Sequence, residues 1–197
     1  MRYTSALKIL QYMRASYGRQ PSISTVCRGV ALSYQPTHYH IKQLEKLAVL
    51  GTIKSGRESL CMFVNSPAAA LWLAMLCQHQ KAAGLAAELL RGLRPYLSQH
   101  RGEFDCIAVL PEENRLIATT QGAKKRLSSS LAARCRAITA ALRVETLDRG
   151  GLLDHFGAES GLVWTRRAVI IAGHQDFWEY ALTAGEGLGL VLPPPAE

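Results

Sequence analysis

Residues 33–63 constrain the fold more than any other part of the chain, because they combine a short amphipathic helix, a glycine and two strand-like segments. Ser33 is a suitable N-cap, and Pro36 is tolerated because it falls in the first helical turn. Gly51 then closes the helical region, and the pattern changes from helical to strand-like. The segment therefore predicts a helix followed by a small β-hairpin.

The predicted hairpin has cations beside its tip. Residues 52–54 and 59–64 have the composition of strands, and residues 55–58 are turn-like. Lys54 immediately precedes this turn, and Arg57 lies within it. Two cations at a hairpin tip are suited to contact phosphate groups.

Two further helices precede this segment. Residues 4–17 place apolar side chains at helical spacing, and Gly18 ends that helix. A short second helix is predicted after Pro21, with Ile23, Val26, Cys27 and Val30 on its apolar side.

The third helix has two different faces. Its predicted inward row is Thr37, Ile41, Leu44 and Leu47, and its outward side holds Gln35, His38, Tyr39, Lys42 and Lys46, with His40 near the boundary. His38 and His40 point roughly 200° apart on a helix, so they cannot chelate one ion and we expect no metal site.

Residues 39–45, followed by 50–53, resemble the recognition helix and wing entry of the MarR/ArsR-type winged helix-turn-helix regulators, and the likeness covers about a third of the chain. The resemblance implies that the third helix enters the major groove of double-stranded DNA by its N-terminal half. The DNA-binding residues that it implies are Gln35, Thr37, His38, Tyr39 and Lys42 on the helix, with Lys54 and Arg57 on the wing.

The charge distribution agrees with a polyanionic partner. Nine of the 23 Lys and Arg residues but only two of the 15 Asp and Glu residues lie in the first 66 positions, so this part carries +7 of the net +8. Binding through such a surface should weaken steeply with salt.

Composition also indicates the compartment. The five cysteines are odd in number and scattered, which favours free thiols in a reducing compartment. No apolar leader core follows Arg2, and the apolar run 68–77 is too short to span a bilayer. We therefore expect a cytoplasmic protein that does not interact with membranes.

Residues 66–100 predict a linker and dimerisation helix. Ser66 caps and Pro67 opens a long helix that runs toward Leu90 before Pro95 interrupts it. Its first turns are apolar almost all round, so they need cover from either the C-terminal domain or a second chain. Winged-helix regulators commonly dimerise through a helix in this position, which implies a homodimer. An ordinary core helix is the alternative.

Residues 101–184 predict a small α/β domain, and residues 185–197 predict a flexible tail. The predicted strands are 104–110, 116–120, 144–147 and 167–172, and the predicted helices are 123–142 and 174–183.

The order of these elements, with residues 101–109 and 168–173, resembles the minimal nucleotidyltransferase fold. That family holds metal ions with an Asp-x-Asp pair and carries a Gly-Ser pair on the preceding strand. Here no Gly-Ser precedes Arg101, and Ile107 occupies the second carboxylate position if Asp105 is the first. If residues 116–120 are instead the second strand, that strand has no acid at all. The resemblance therefore implies a degenerate site kept for sensing or dimerisation.

The sequence predicts an α+β protein with a winged helix-turn-helix over residues 1–65, the helix of residues 66–100 and the small α/β domain. The expected function is a homodimeric, sequence-specific transcriptional regulator that binds double-stranded DNA, with no catalytic residues, cofactor or metal and with an unknown small-molecule effector. The alternatives are a nucleotidyltransferase-like enzyme tethered to nucleic acid and a winged-helix module that binds proteins.

Overall fold

A computed structural model describes residues 3–78, 83–100, 102–120 and 125–195. Within those ranges the chain forms nine α-helices and two small β-sheets, so the predicted α+β class is confirmed.

Residues 3–63 fold into three helices and a hairpin, as the sequence predicts. The helices are α1 (Tyr3–Ala15), α2 (Ile23–Val30) and α3 (Tyr34–Lys46), and the antiparallel strands are β1 (Leu50–Ser55) and β2 (Glu58–Phe63). The chain before α2 also pairs with the hairpin, because the Cys61 amide donates to the Pro21 carbonyl at 2.8 Å and Ser22 bridges Leu60.

The single long helix predicted from residue 66 is wrong, because two helices occupy this region. They are α4 (Pro67–Gln78) and α5 (Gly84–Gln99), and residues 79–82 lie outside the described ranges. Ser66 does cap α4, since its Oγ accepts a hydrogen bond from the Ala69 amide at 3.0 Å. Pro95 lies inside α5 and does not interrupt it.

A four-stranded mixed sheet forms the centre of the second half. Its strands are β3 (Phe104–Leu110), β4 (Arg115–Thr120), β5 (Arg143–Leu147) and β6 (Val169–Ala172), in the order β5-β4-β3-β6. Only the β4–β5 pair is parallel among these strands. The accompanying helices are α6 (Lys125–Ile138), α7 (Arg149–Gly157), α8 (Glu159–Arg167) and α9 (His174–Gly187), of which α7 and α8 were not predicted.

The two faces of this sheet pack in different clusters. Ile107 and Val109 pack with α5 and α6, whereas Cys106 and Ala108 pack with α4, α7 and α9. The cluster that contains Cys106 and Ala108 continues into α1, α2 and α3, so the N-terminal and C-terminal halves share one hydrophobic core.

The flexible tail predicted from residue 185 is wrong over its described part. Helix α9 continues to Gly187, and Val191 is buried. Leu192 then lies beside the end of β2, where its amide donates to the Phe63 carbonyl at 2.8 Å and its carbonyl accepts from the Asn65 amide at 2.7 Å. Side-chain and main-chain contacts that are distant in sequence hold this segment in place.

Candidate nucleic-acid interface

The exposed side of α3 carries most of the residues that the sequence assigned to DNA. Gln35, Tyr39 and Lys42 are exposed, and His38 is partly buried. Tyr39 shows 56% of its surface, which is high for a large aromatic side chain. These four side chains are available to a partner.

The assignment of Thr37 to the DNA-contacting residues is wrong. Its side chain is 0% exposed, and its Oγ1 donates to the Ser33 carbonyl at 3.0 Å. It lies on the same side as Ile41 and Leu44, which are also buried, so Thr37 stabilises the start of the helix and cannot contact a groove. The prediction that Leu47 belongs to the inward row is also wrong, because its side chain is 45% exposed.

Tyr34 is a surface residue that sequence reasoning missed. It is 55% exposed, and its ring stacks on His38 with 5.7 Å between the ring centroids. The sequence does indicate this contact, because side chains four residues apart on a helix, such as Tyr34 and His38, are neighbours. The pair gives the N-terminal half of α3 an exposed aromatic surface.

Lys42 is already paired in the free protein. Its Nζ lies 2.5 Å from Oε2 of Glu45, and the other oxygen of Glu45 accepts from Oγ1 of Thr52 at 2.5 Å. Glu45 therefore joins α3 to the first strand of the hairpin and partly neutralises Lys42. Since 48% of the Lys42 side chain remains exposed, the pair is accessible to a competing anion.

His40 belongs to the interior. It is 8% exposed, and its buried Nδ1 has no hydrogen-bond partner among the residues that the structure describes. His40 therefore points into the core and His38 toward the surface, so the two side chains do not face a common ion.

The tip of the hairpin is exposed and cationic. Lys54 and Arg57 are exposed on either side of Gly56, whose φ of +59° suits a tight turn. Neither cation forms an ion pair with any side chain in the described ranges. Their charge is therefore available to phosphate groups.

Arg14 does not contribute to this surface. It is 4% exposed, and its Nη2 donates to the Ala168 carbonyl at 2.8 Å. Seven other cations of the first 66 residues are exposed, namely Lys8, Arg19, Arg28, Lys42, Lys46, Lys54 and Arg57.

A separate acidic cavity of about 710 Å³ contains Asp105, the residue suggested by the nucleotidyltransferase resemblance. Asp176 and Glu179 also line it, as does Tyr180, whose hydroxyl donates to Asp105 Oδ2 at 3.2 Å. Burial and the negative charges of Glu179 and Asp105 raise the pKa of Asp176. Burial, followed by the nearby Asp105, raises the pKa of Tyr180 to about 12.

The carboxylates of this cavity do not include the Asp-x-Asp pair that the nucleotidyltransferase resemblance calls for. Ile107, at the second carboxylate position, is fully buried in the cluster with α5 and α6. Among the described residues, no group of three His, Cys, Asp or Glu side chains is placed to hold a metal ion.

Comparisons of the chain with protein families, with curated proteins and with solved structures gave no match. In the part of the chain that the structure describes, no helix is both long and apolar enough to cross a membrane.

Proposed function

We propose that this chain is a cytoplasmic, sequence-specific transcriptional regulator that binds double-stranded DNA as a homodimer and has no catalytic activity. The supporting observation is that the exposed N-terminal half of α3 and the exposed cations Lys54 and Arg57 belong to one unit of three helices and a hairpin. In this proposal the unit is a winged helix-turn-helix, α3 is the recognition helix and the hairpin is the wing.

The residues of α3 have distinct roles in the proposal. Gln35 pairs with the edge of an adenine, since its amide offers one donor and one acceptor side by side. His38 and Tyr39 contact neighbouring base edges, and Tyr34 supports the His38 ring by stacking. Lys42 exchanges Glu45 for a guanine or a phosphate group.

The wing supplies affinity without sequence preference. Lys54 and Arg57 neutralise backbone phosphates and release condensed counterions. Because both side chains are exposed and unpaired among the described residues, they lose little interaction energy within the protein when they bind.

Homodimerisation is supported by α4. Leu71 and Met75 are 49% and 44% exposed and lie one turn apart, while the other side of the helix is buried in the shared core. Pairing of two chains through this stripe would set two recognition helices about one DNA turn apart, which predicts a roughly palindromic operator.

The test is a selection for preferred sites from random duplex DNA with the full chain, followed by affinity measurements on variants. Gln35→Ala and His38→Ala should change the preference among sequences, whereas K54Q/R57Q should weaken binding to all sequences alike. R134Q/R136Q on α6 is the matched control, because it also removes two exposed cations. Uniform weakening by both kinds of variant would contradict the groove assignment.

Protein binding is a second candidate. Tyr34, Tyr39, Leu47 and Ile53 are all large side chains with at least 36% of their surface exposed. Such a surface also suits a protein partner. A full chain that binds no duplex DNA at low salt would favour this candidate over the regulator.

A further inference from the structure

A second cleft, of about 810 Å³, lies between α5 and the edge strand β6. Its apolar lining includes Ala87, Leu90 and Leu97 from α5 and Ile171 from β6. Leu90 and Leu97 are only partly buried, because they pack against the core cluster of this sheet face and leave their other side open to the cleft.

Two exposed arginines line the same cleft. Arg91 and Arg94 are three residues apart on α5, so their side chains are neighbours on the helix surface. Neither has an ion-pair partner within the described ranges, and Glu88, the acid of this helix, is not part of the lining. Two adjacent guanidinium groups without a counterion favour an anion between them.

The size and lining of the cleft indicate the kind of anion. Its volume lies within the range of roughly 300–1,000 Å³ that is usual for small-molecule sites. A nucleic-acid backbone would use the arginines but would leave Leu90, Leu97 and Ile171 uncovered. An added peptide strand would find few main-chain partners, since β6 has only 4 residues.

We propose that this cleft binds a small amphipathic anion, an organic carboxylate or sulfonate with an apolar body. The apolar body lies against Leu90, Leu97 and Ile171, and the anionic group lies between Arg91 and Arg94. None of these residues takes part in the proposed DNA binding, so this proposal does not depend on the proposed regulator function.

The test uses the full chain without DNA and two fluorescent dyes. Anilinonaphthalene sulfonate is an amphipathic anion, and N-phenylnaphthylamine is a neutral dye with a closely related ring system. The chain should bind the sulfonate saturably, and decanoate should displace it. The variant R91Q/R94Q should weaken sulfonate binding by about ten-fold or more, because two charge-assisted contacts are lost, while the neutral dye is affected by less than about two-fold.

Two control variants make the result specific. R134Q/R136Q removes two exposed cations from α6 and should leave the affinity for both dyes unchanged. Ala87→Trp fills the cleft and should weaken both dyes. Since Arg91 and Arg94 are exposed, their replacement should leave folding intact even if Ala87→Trp does not. Absence of saturable sulfonate binding, or unchanged affinity in R91Q/R94Q, would overturn the proposal.

Discussion

The guanidinium of Arg14 lies over the indole ring of Trp178, with 5.5 Å between the Arg14 Cζ and the ring centroid. Arg14 belongs to the first helix and Trp178 to the last, so the contact joins the two ends of the fold. The same guanidinium donates to the carbonyls of Thr165 and Ala168, at 3.1 Å and 2.8 Å, where α8 ends. Charge, hydrogen bonds and an aromatic face thus fix α1 against the C-terminal half.

Replacement of Arg14 by Met should therefore lower the free energy of unfolding by roughly 2–4 kcal/mol, because buried carbonyls lose their charged donor. Arg28→Met is the matched control, since Arg28 is an exposed cation in the next helix and its loss should cost less than about 0.5 kcal/mol. Chemical denaturation of both variants measures the difference. Equal effects would show that Arg14 does not stabilise the junction.

Gly173 should tolerate no side chain. It precedes α9 with a φ of +64°, and an added Cβ would lie 1.7 Å from the carbonyl oxygen of Asp105. Gly173→Ala should therefore destabilise the protein by more than about 3 kcal/mol, through strain and displacement of β3 from α9. Gly187→Ala, at the other end of α9 and with open space around it, is the control and should have little effect on the denaturation midpoint. A wild-type midpoint for Gly173→Ala would contradict this close packing.

The cysteines should be unreactive in the folded protein. All five are buried, and burial raises the pKa of Cys61 to about 12, that of Cys106 to about 12 and that of Cys135 to about 11. Since the thiolate is the reactive form, an aromatic disulfide reagent at pH 8 should react slowly with the native chain. In denaturant all five thiols should react at once. Rapid reaction of the native protein would show that the core opens more readily than this packing allows.

Dimerisation through α4 has a direct test. The variant L71E/M75E places charge on the exposed stripe and should convert a dimer into a monomer in sedimentation equilibrium, since carboxylates cannot be buried unpaired at an interface. Leu188→Glu is the control, because Leu188 is also a large apolar side chain, 47% exposed, but lies at the end of α9 and not on α4. A wild-type monomer, or a variant that stays dimeric, would rule out α4 as the interface.

The sequence was sufficient for elements with strong local signals. The apolar spacing of α1 and α2 and the turn around Gly56 each act over a few residues, and the elements that they predict are present. Ser33 does lie at the N-cap position of α3, but its side chain forms no capping hydrogen bond. Helix α7 was missed because Gly150 and Gly151 weaken its first turn. The sequence does offer an N-cap for this helix in Asp148, whose Oδ1 accepts a hydrogen bond from the Gly151 amide at 2.8 Å.

Long-range contacts explain the remaining differences. The glycines and prolines after residue 185 suggested a tail, but Leu192 finds its hydrogen-bond partners 127 and 129 positions earlier, at Asn65 and Phe63. The sequence places Thr37 both in the inward row of α3 and among the groove-contacting residues. The packing of α3 against the core shows that its side chain points inward. The clefts beside Asp105 and Arg91 are formed by elements distant in sequence, so no local pattern indicates them.

The shared core also determines how DNA binding must be measured. Tyr17 donates to the Ala181 carbonyl at 2.7 Å, and Leu192 pairs beside β2, so a fragment ending at residue 66 would expose buried side chains and lose these bonds. The full chain is therefore the appropriate sample.

The most direct measurement is the affinity of the full chain for random duplex DNA across a series of salt concentrations. We predict micromolar or tighter binding at low salt and a steep negative slope of log affinity against log salt. K54Q/R57Q should reduce the magnitude of this slope by about 2 relative to the wild type, whereas the control R134Q/R136Q should leave the slope unchanged. Absence of binding at low salt, or a slope that K54Q/R57Q leaves unchanged, would contradict the assignment of α3 and the hairpin to DNA.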